Sequence, residues 1–295
     1  MTTLKLRGTY SALPTPFQTD GAVDLGALDA LVEWQLAQGI EGFIPCGTTG
    51  EASTLSDAER DAVVGCVVKR CAGRVPVIAG TGTNDTRSTI VNQKRAHDAG
   101  ATHTLVVTPF YNKPTPEGLV RHYHAVAEAS SLGIVLYNVP GRTGCDLKPD
   151  TVAKIAKHPR ILGIKEATGD LDRVTLLRRE TRTDFVLLSG DDLTTLPFVL
   201  LGGDGVISVV SNVAPRDMSD MVRAALAGDV TRSRALHDKL RDLHVGLFFE
   251  SNPIPTKAAL ALQGRMRDAC RLPLCEMGAE PRARLTKILE AGGWR

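Results

Sequence analysis

Ile161-Leu162-Gly163-Ile164-Lys165-Glu166-Ala167 is an apolar run that closes on a lysine, and its reading decides the rest. Ile161, Leu162 and Ile164 are the residues of a buried strand. Leu162 and Ile164 share one face and can pack on outer helices, which leaves Gly163 and Ala167 beside Lys165. An ammonium in such a place is costly unless it is paired or its amine is used neutral. Its small neighbours leave space for a ligand, and a desolvated amine is a nucleophile toward carbonyls. The competing reading is a strand-end lysine paired with a carboxylate such as Glu166.

Working outward, similar short runs recur about every 20 to 30 residues, each followed by a loop of Gly, Pro, Thr or Asn. They are Tyr10 to Leu13, Gly42 to Pro45, Val75 to Ala79, Thr104 to Val107, Gly133 to Tyr137, Ile161 to Lys165, Phe185 to Leu188 and Gly205 to Val209. Helical stretches lie between them, among them Leu25 to Gln38, Thr86 to Ala99, Leu119 to Ser130 and Asp150 to Lys157. Ser56-Asp57-Ala58-Glu59 is a capping box, so another helix begins at Ser56 and runs toward Arg70. Eight strand–helix alternations predict an α/β fold, a (β/α)8 TIM barrel with a parallel sheet. From about Pro215 to Ala291 the chain reads as helices only, broken at Ser251-Asn252-Pro253-Ile254-Pro255. The expected organisation is a barrel with the active site over residues 1–224 and a C-terminal helical extension over 225–295.

The 295 residues suffice for one barrel of roughly 200–250 residues and an appendage. Hydrophobic content of 43% and charged content of 23% fit a soluble globular enzyme and disfavour disordered, collagenous or coiled-coil chains. The 35 basic and 33 acidic residues leave a charge of +2, with the basic residues spread along the chain, so no nucleic acid is expected as a partner. Met1 to Arg7 contains no apolar leader and no later run approaches a membrane span, so a cytoplasmic protein off the membrane is expected. None of the six cysteines forms a C-x-x-C pair, as expected of free thiols in a reducing cytosol. The seven histidines include no H-E-x-x-H, and His122 and His124 point to different sides of a helix, so no metal is expected. Gly80-Thr81-Gly82 lacks the third glycine of a dinucleotide fingerprint and Gly202-Gly203-Asp204-Gly205 precedes a strand, so no nucleotide cofactor is expected either.

Candidate chemistry gathers just after the strands, at the face where (β/α)8 barrels carry their sites. Tyr137 ends the strand next to that of Lys165, so its hydroxyl can shuttle protons to an amine there; otherwise it is a core tyrosine. Thr48 and Thr49, between Gly47 and Gly50, offer hydroxyls and backbone N–H groups to a small carboxylate, unless they form only a tight turn. Arg142, in Gly141-Arg142-Thr143-Gly144, suits a bidentate carboxylate contact, its other reading being a solvated loop arginine. Tyr111 lies in an exposed Pro-flanked loop and reads first as packing or interface.

Taken together, Gly47-Thr48-Thr49-Gly50-Glu51, Tyr111-Asn112-Lys113-Pro114, Tyr137-Asn138-Val139-Pro140-Gly141-Arg142-Thr143-Gly144, Gly163-Ile164-Lys165-Glu166-Ala167 and Gly205-Val206-Ile207-Ser208-Val209 closely resemble the 4-hydroxy-tetrahydrodipicolinate synthase family of pyruvate-dependent class I aldolases. The resemblance runs from Thr15-Pro16 to Arg271-Leu272-Pro273. It implies a lyase of diaminopimelate and lysine biosynthesis in which pyruvate forms an imine on Lys165, its enamine attacks aspartate 4-semialdehyde, and cyclisation releases the product. That covalent imine would take the place of a cofactor. Tyr137 matches the proton-transferring tyrosine, Thr49 a relay residue that also touches the pyruvate carboxylate, and Thr48 and Tyr111 the rest of the relay. Arg142 matches the arginine that receives the aldehyde's carboxylate, and Ile207 a backbone contact to pyruvate. The relay tyrosine of the family acts next to a subunit interface, which implies a tight dimer, usually paired into a homotetramer.

Departures concern regulation. Lysine-inhibited bacterial members carry His and Glu where this chain has Asp57 and Ser88, and Tyr where it has Phe110, while Asn84 is retained. Weak or absent inhibition by lysine is expected. The rival readings are another pyruvate-dependent aldolase of the family, such as N-acetylneuraminate lyase or a keto-acid sugar aldolase, and a noncatalytic binding barrel. A neutral sugar acceptor would not need Arg142, and a noncatalytic barrel would not need Lys165 and Tyr137.

Overall fold

A computed structural model of the chain describes residues 6–295. Eight strands form one parallel sheet: β1 Gly8–Ala12, β2 Gly42–Ile44, β3 Ile78–Gly80, β4 His103–Val107, β5 Gly133–Asn138, β6 Ile161–Glu166, β7 Val186–Ser189 and β8 Gly205–Ser208. Their order is β2-β1-β8-β7-β6-β5-β4-β3. The two outer strands also meet: Phe43 bridges Val77 in parallel, and the Gly80 N–H donates to Pro45 O at 2.9 Å. The sheet is a barrel surrounded by helices, as the alternation predicts.

Most boundaries move by one to three residues, for physical reasons. β3 starts at Ile78 and not Val75 because Pro76 has no N–H to give a ladder. The helix expected from Leu119 begins at Pro116, since Thr115 caps it by accepting from the Gly118 N–H and proline is preorganised for a first turn. Ser56 and Glu59 form the expected reciprocal capping box of helix Asp57–Cys71. Along β6, Ile161 and Ile164 lie in the same outer cluster although their parity differs. A register shift against β5, between Ile134 and Val135, brings this about.

Two layers of apolar packing hold the barrel. Inside lie Tyr10, Ile44, Leu105, Val135, Tyr137, Leu188 and Ile207; outside, the strands pack on the surrounding helices. The extension consists of helices Val230–Gly246, Ile254–Leu262 and Ala279–Gly292, preceded by Pro215–Leu226. The 224/225 boundary therefore falls in the last turn of Pro215–Leu226, and one cluster runs without a break from Val206 of the barrel to Leu289 of the extension. Arg271 ties the extension down: its guanidinium donates to Gly21 O at 2.7 Å and Thr54 O at 2.7 Å, and pairs with Glu59. No helix of the described residues is long and apolar enough to cross a membrane.

The β1–β8 seam is tight. A Cβ on Gly205, whose φ is +153°, would stand 2.0 Å from Gly8 O. Gly205→Ala is expected to lower unfolding free energy by about 1–3 kcal/mol in a denaturant titration, because backbone and not a side chain must yield.

Candidate active site

Lys165 and Tyr137 are paired neighbours at the C-terminal ends of β6 and β5. Both are buried, at 5% and 7% exposure, and the Lys165 Nζ lies 4.3 Å from the centre of the Tyr137 ring. On the other side, Gly190 makes room, for a Cβ there would stand 2.9 Å from Lys165 Cε. The carboxylate of Glu166 does not serve Lys165. It faces away, accepts from Asn138 Nδ2 at 3.1 Å and from the Thr168 N–H at 2.9 Å, and lies 3.5 Å from Arg173. Among the described residues Lys165 has no ion pair, so the competing strand-end reading fails.

A cavity of about 140 Å³ opens above the lysine, lined by Lys165, Tyr137, Thr48, Thr49 and Arg142, with Asn252 from the extension. Thr49 is buried and its Oγ1 accepts from Asn252 Nδ2 at 2.9 Å. Thr48 is exposed at the mouth. Arg142 is exposed too, and its guanidinium reaches Asn252 O at 3.5 Å with no carboxylate partner among the described residues. A second cavity of about 370 Å³ adjoins the first, shares Thr48, Tyr137 and Arg142 with it, and extends to Arg60 and Phe110. The structure thus brings five of the sequence candidates together.

The other two lie apart. Ile207 is 1% exposed on β8 with its side chain in the barrel interior, beneath the cavity rather than on its wall. Tyr111 is 88% exposed, outside either cavity, at a left-handed φ of +74°. Of the residues that depart from the lysine-inhibited pattern, Asp57 faces Arg95 at 3.5 Å and Ser88 donates to Asp85 at 2.6 Å.

Behind the lysine lies a cluster that the sequence reading did not assemble. Arg173 binds Asp146 at 2.6 Å and faces Glu166, while Asn138 donates to both carboxylates. The Arg173 guanidinium holds the Asp146 carboxyl below the usual carboxylate range, whereas burial pushes that of Glu166 up. These side chains tie the ends of β5 and β6 to the loops after them. Asn252 was also missed as a site residue, because its contact with Thr49 spans most of the chain.

Residues 5–292 match the model of the dihydrodipicolinate synthetase family. The chain belongs to that family. A 4-hydroxy-tetrahydrodipicolinate synthase of Thermodesulfovibrio yellowstonii is 47% identical over 97% of this chain and 98% of its own. Among solved structures, a dihydrodipicolinate synthase of Acinetobacter baumannii in complex with pyruvate superposes with a TM-score of 0.96 at 46% identity, covering 98% of this chain and 99% of that one. A monomeric dihydrodipicolinate synthase variant gives 0.97 at 43% identity, covering 99% and 98%. Within this dihydrodipicolinate synthetase barrel, Arg173→Met would leave two carboxylates uncompensated, one of them buried. It should cost about 3–5 kcal/mol of stability by denaturant unfolding at neutral pH.

Proposed function

We propose that the protein is a 4-hydroxy-tetrahydrodipicolinate synthase, a lyase that condenses pyruvate with aspartate 4-semialdehyde on Lys165. The observation that carries this reading is a buried lysine with no counter-ion among the described residues, packed on a tyrosine beneath a small cavity. The neutral amine of Lys165 attacks the pyruvate carbonyl carbon and water leaves, giving an imine. Loss of a methyl proton gives the enamine, whose carbon attacks the aldehyde. The amino group of the aldehyde substrate then displaces Lys165 and closes the ring.

Tyr137, whose ring packs on the amine, is the residue that takes and returns the protons through its hydroxyl. Thr48 and Thr49 bind the pyruvate carboxylate and carry protons onward, and Ile207 contributes a backbone contact from β8. Arg142 receives the carboxylate of the aldehyde, its guanidinium having no acid partner among the described residues. No further cofactor is needed, because the imine itself is the electron sink. Tyr111 completes the relay across a subunit interface, a role that fits a tyrosine so exposed and held at a left-handed φ. The working assembly is then a tight dimer, paired into a homotetramer, in the cytoplasm, where six unpaired thiols stay reduced.

Borohydride reduction in the presence of pyruvate should add one pyruvyl group to Lys165, read by intact mass and peptide mapping. Lys165→Ala should take up none, and wild-type protein that is folded but unmodified would sink the imine. Tyr137→Phe should still form the adduct but turn over about 10²–10⁴-fold more slowly with aspartate 4-semialdehyde.

Lysine should inhibit weakly or not at all. The effector's ammonium finds Ser88 where inhibited relatives offer a carboxylate, a loss of about 1.5–3 kcal/mol, and Ser88 is already bonded to Asp85. An inhibition constant in the submillimolar range would contradict this.

A further inference from the structure

On the extension, Lys257 presents the same problem as Lys165. It lies in helix Ile254–Leu262 and is fully buried. Its ammonium forms an ion pair with Glu51, donates to Ala269 O at 2.8 Å, and stands 4.1 Å from the centre of the Phe17 ring. Burial holds its amine below the ordinary lysine range, and the charge of Glu51 opposes that shift. The other oxygen of Glu51 accepts from the Arg271 N–H at 3.0 Å. The extension thus grips both ends of one buried carboxylate.

A buried ion pair is a poor way to gain stability, since apolar side chains of similar volume do as well or better. What it fixes is position. Glu51 is held at a left-handed φ of +51° and ends the turn that starts at Gly47. In that turn the Gly50 N–H donates to Gly47 O and the Glu51 N–H to Thr48 O, both at 3.1 Å. Thr15 clasps Gly50 O at 2.7 Å. The segment leading into the same helix supplies Asn252, which donates to Thr49 and is itself held by Thr256 at 3.1 Å. Thr48 and Thr49 are therefore aimed by a helix from the far end of the chain.

We propose that Glu51 and Lys257 are positioning residues for the reaction: their pair holds the Gly47–Glu51 turn so that the Thr48 and Thr49 hydroxyls stay in register with Tyr137 and Lys165. This rests on the imine reading above. The extension is then part of the catalytic apparatus rather than an appendage.

The test compares Lys257→Met, Glu51→Gln and the double variant. For each, Tm is measured, the fraction of sites trapped by pyruvate and borohydride is counted, and kcat and the pyruvate KM are expressed per trapped site. Glu51→Gln keeps the shape of the side chain and the double variant leaves no unpaired buried charge, so folded protein is available even if Lys257→Met unfolds. The expected result is a kcat per trapped site at least ten-fold below wild type in every folded variant, with pyruvate KM raised. The double variant should regain most of the Tm that Lys257→Met loses and none of its kcat, a split that a merely structural role would not produce. Wild-type kcat and KM per trapped site in either folded Glu51→Gln or the double variant would overturn the proposal and leave the imine standing. Failure of the wild-type protein to trap pyruvate on Lys165 would instead remove the imine, and this inference with it.

Discussion

An open parallel sheet leaves an unpaired row of N–H and C=O groups at each edge, and closing the sheet into a barrel removes both. Here the ladder is continued until it meets itself, at Phe43 and Val77 between β2 and β3. Closure requires bare backbone where strands crowd, as at Gly205 against Gly8. It also gathers the C-terminal ends of eight strands into one ring. Residues far apart in sequence become neighbours there, and Thr48, Tyr137 and Lys165 share a cavity for that reason.

Within the ring, strand alternation sorts the charges. Lys165 and Glu166 are adjacent in sequence, so they point to opposite faces of β6. The inward amine meets a tyrosine ring and open space, while the outward carboxylate meets Asn138, Thr168 and Arg173. A slip of one residue in the register would exchange them and place a carboxylate at the floor of the cavity. The register of β6 is therefore what puts the amine and not the carboxylate under the cavity, and the cluster around Arg173 anchors that end of the strand.

These relations explain which parts could be read from the sequence. The alternation of strands and helices is a local pattern and gave the barrel. Lys165 stood out because a lysine in an apolar run has few explanations, and Tyr137 was attached to it because consecutive strands of such a barrel pair. The apolar character of Val75 reads as strand and says nothing about the missing N–H of Pro76. The outward turn of Ile161 was hidden in a register shift against another strand. Asn252 could be noticed in a Pro-containing segment, but its bond to Thr49 depends on how the extension folds back over the barrel mouth. Long-range side-chain contacts of that kind leave no periodic trace.

Lys257 shows the limit most clearly. Ile254-Pro255-Thr256-Lys257-Ala258-Ala259-Leu260 is as apolar a setting for a lysine as Ile161 to Ala167, and the same reasoning applied to it would have nominated a second nucleophile. The difference lies in what each amine meets. Glu51 comes from the opposite end of the chain to neutralise Lys257, and Arg271 and Phe17 fill the remaining space, so no substrate can reach it. Among the described residues Lys165 meets no acid, and a cavity stands over it. Burial makes charge costly for a lysine, and the arrangement of partners decides whether an ion pair relieves that cost, as Glu51 does for Lys257, or the amine is left facing open space, as at Lys165. In this barrel the two outcomes are joined, since the carboxylate that quiets Lys257 ends the same turn that presents Thr48 and Thr49 to Lys165.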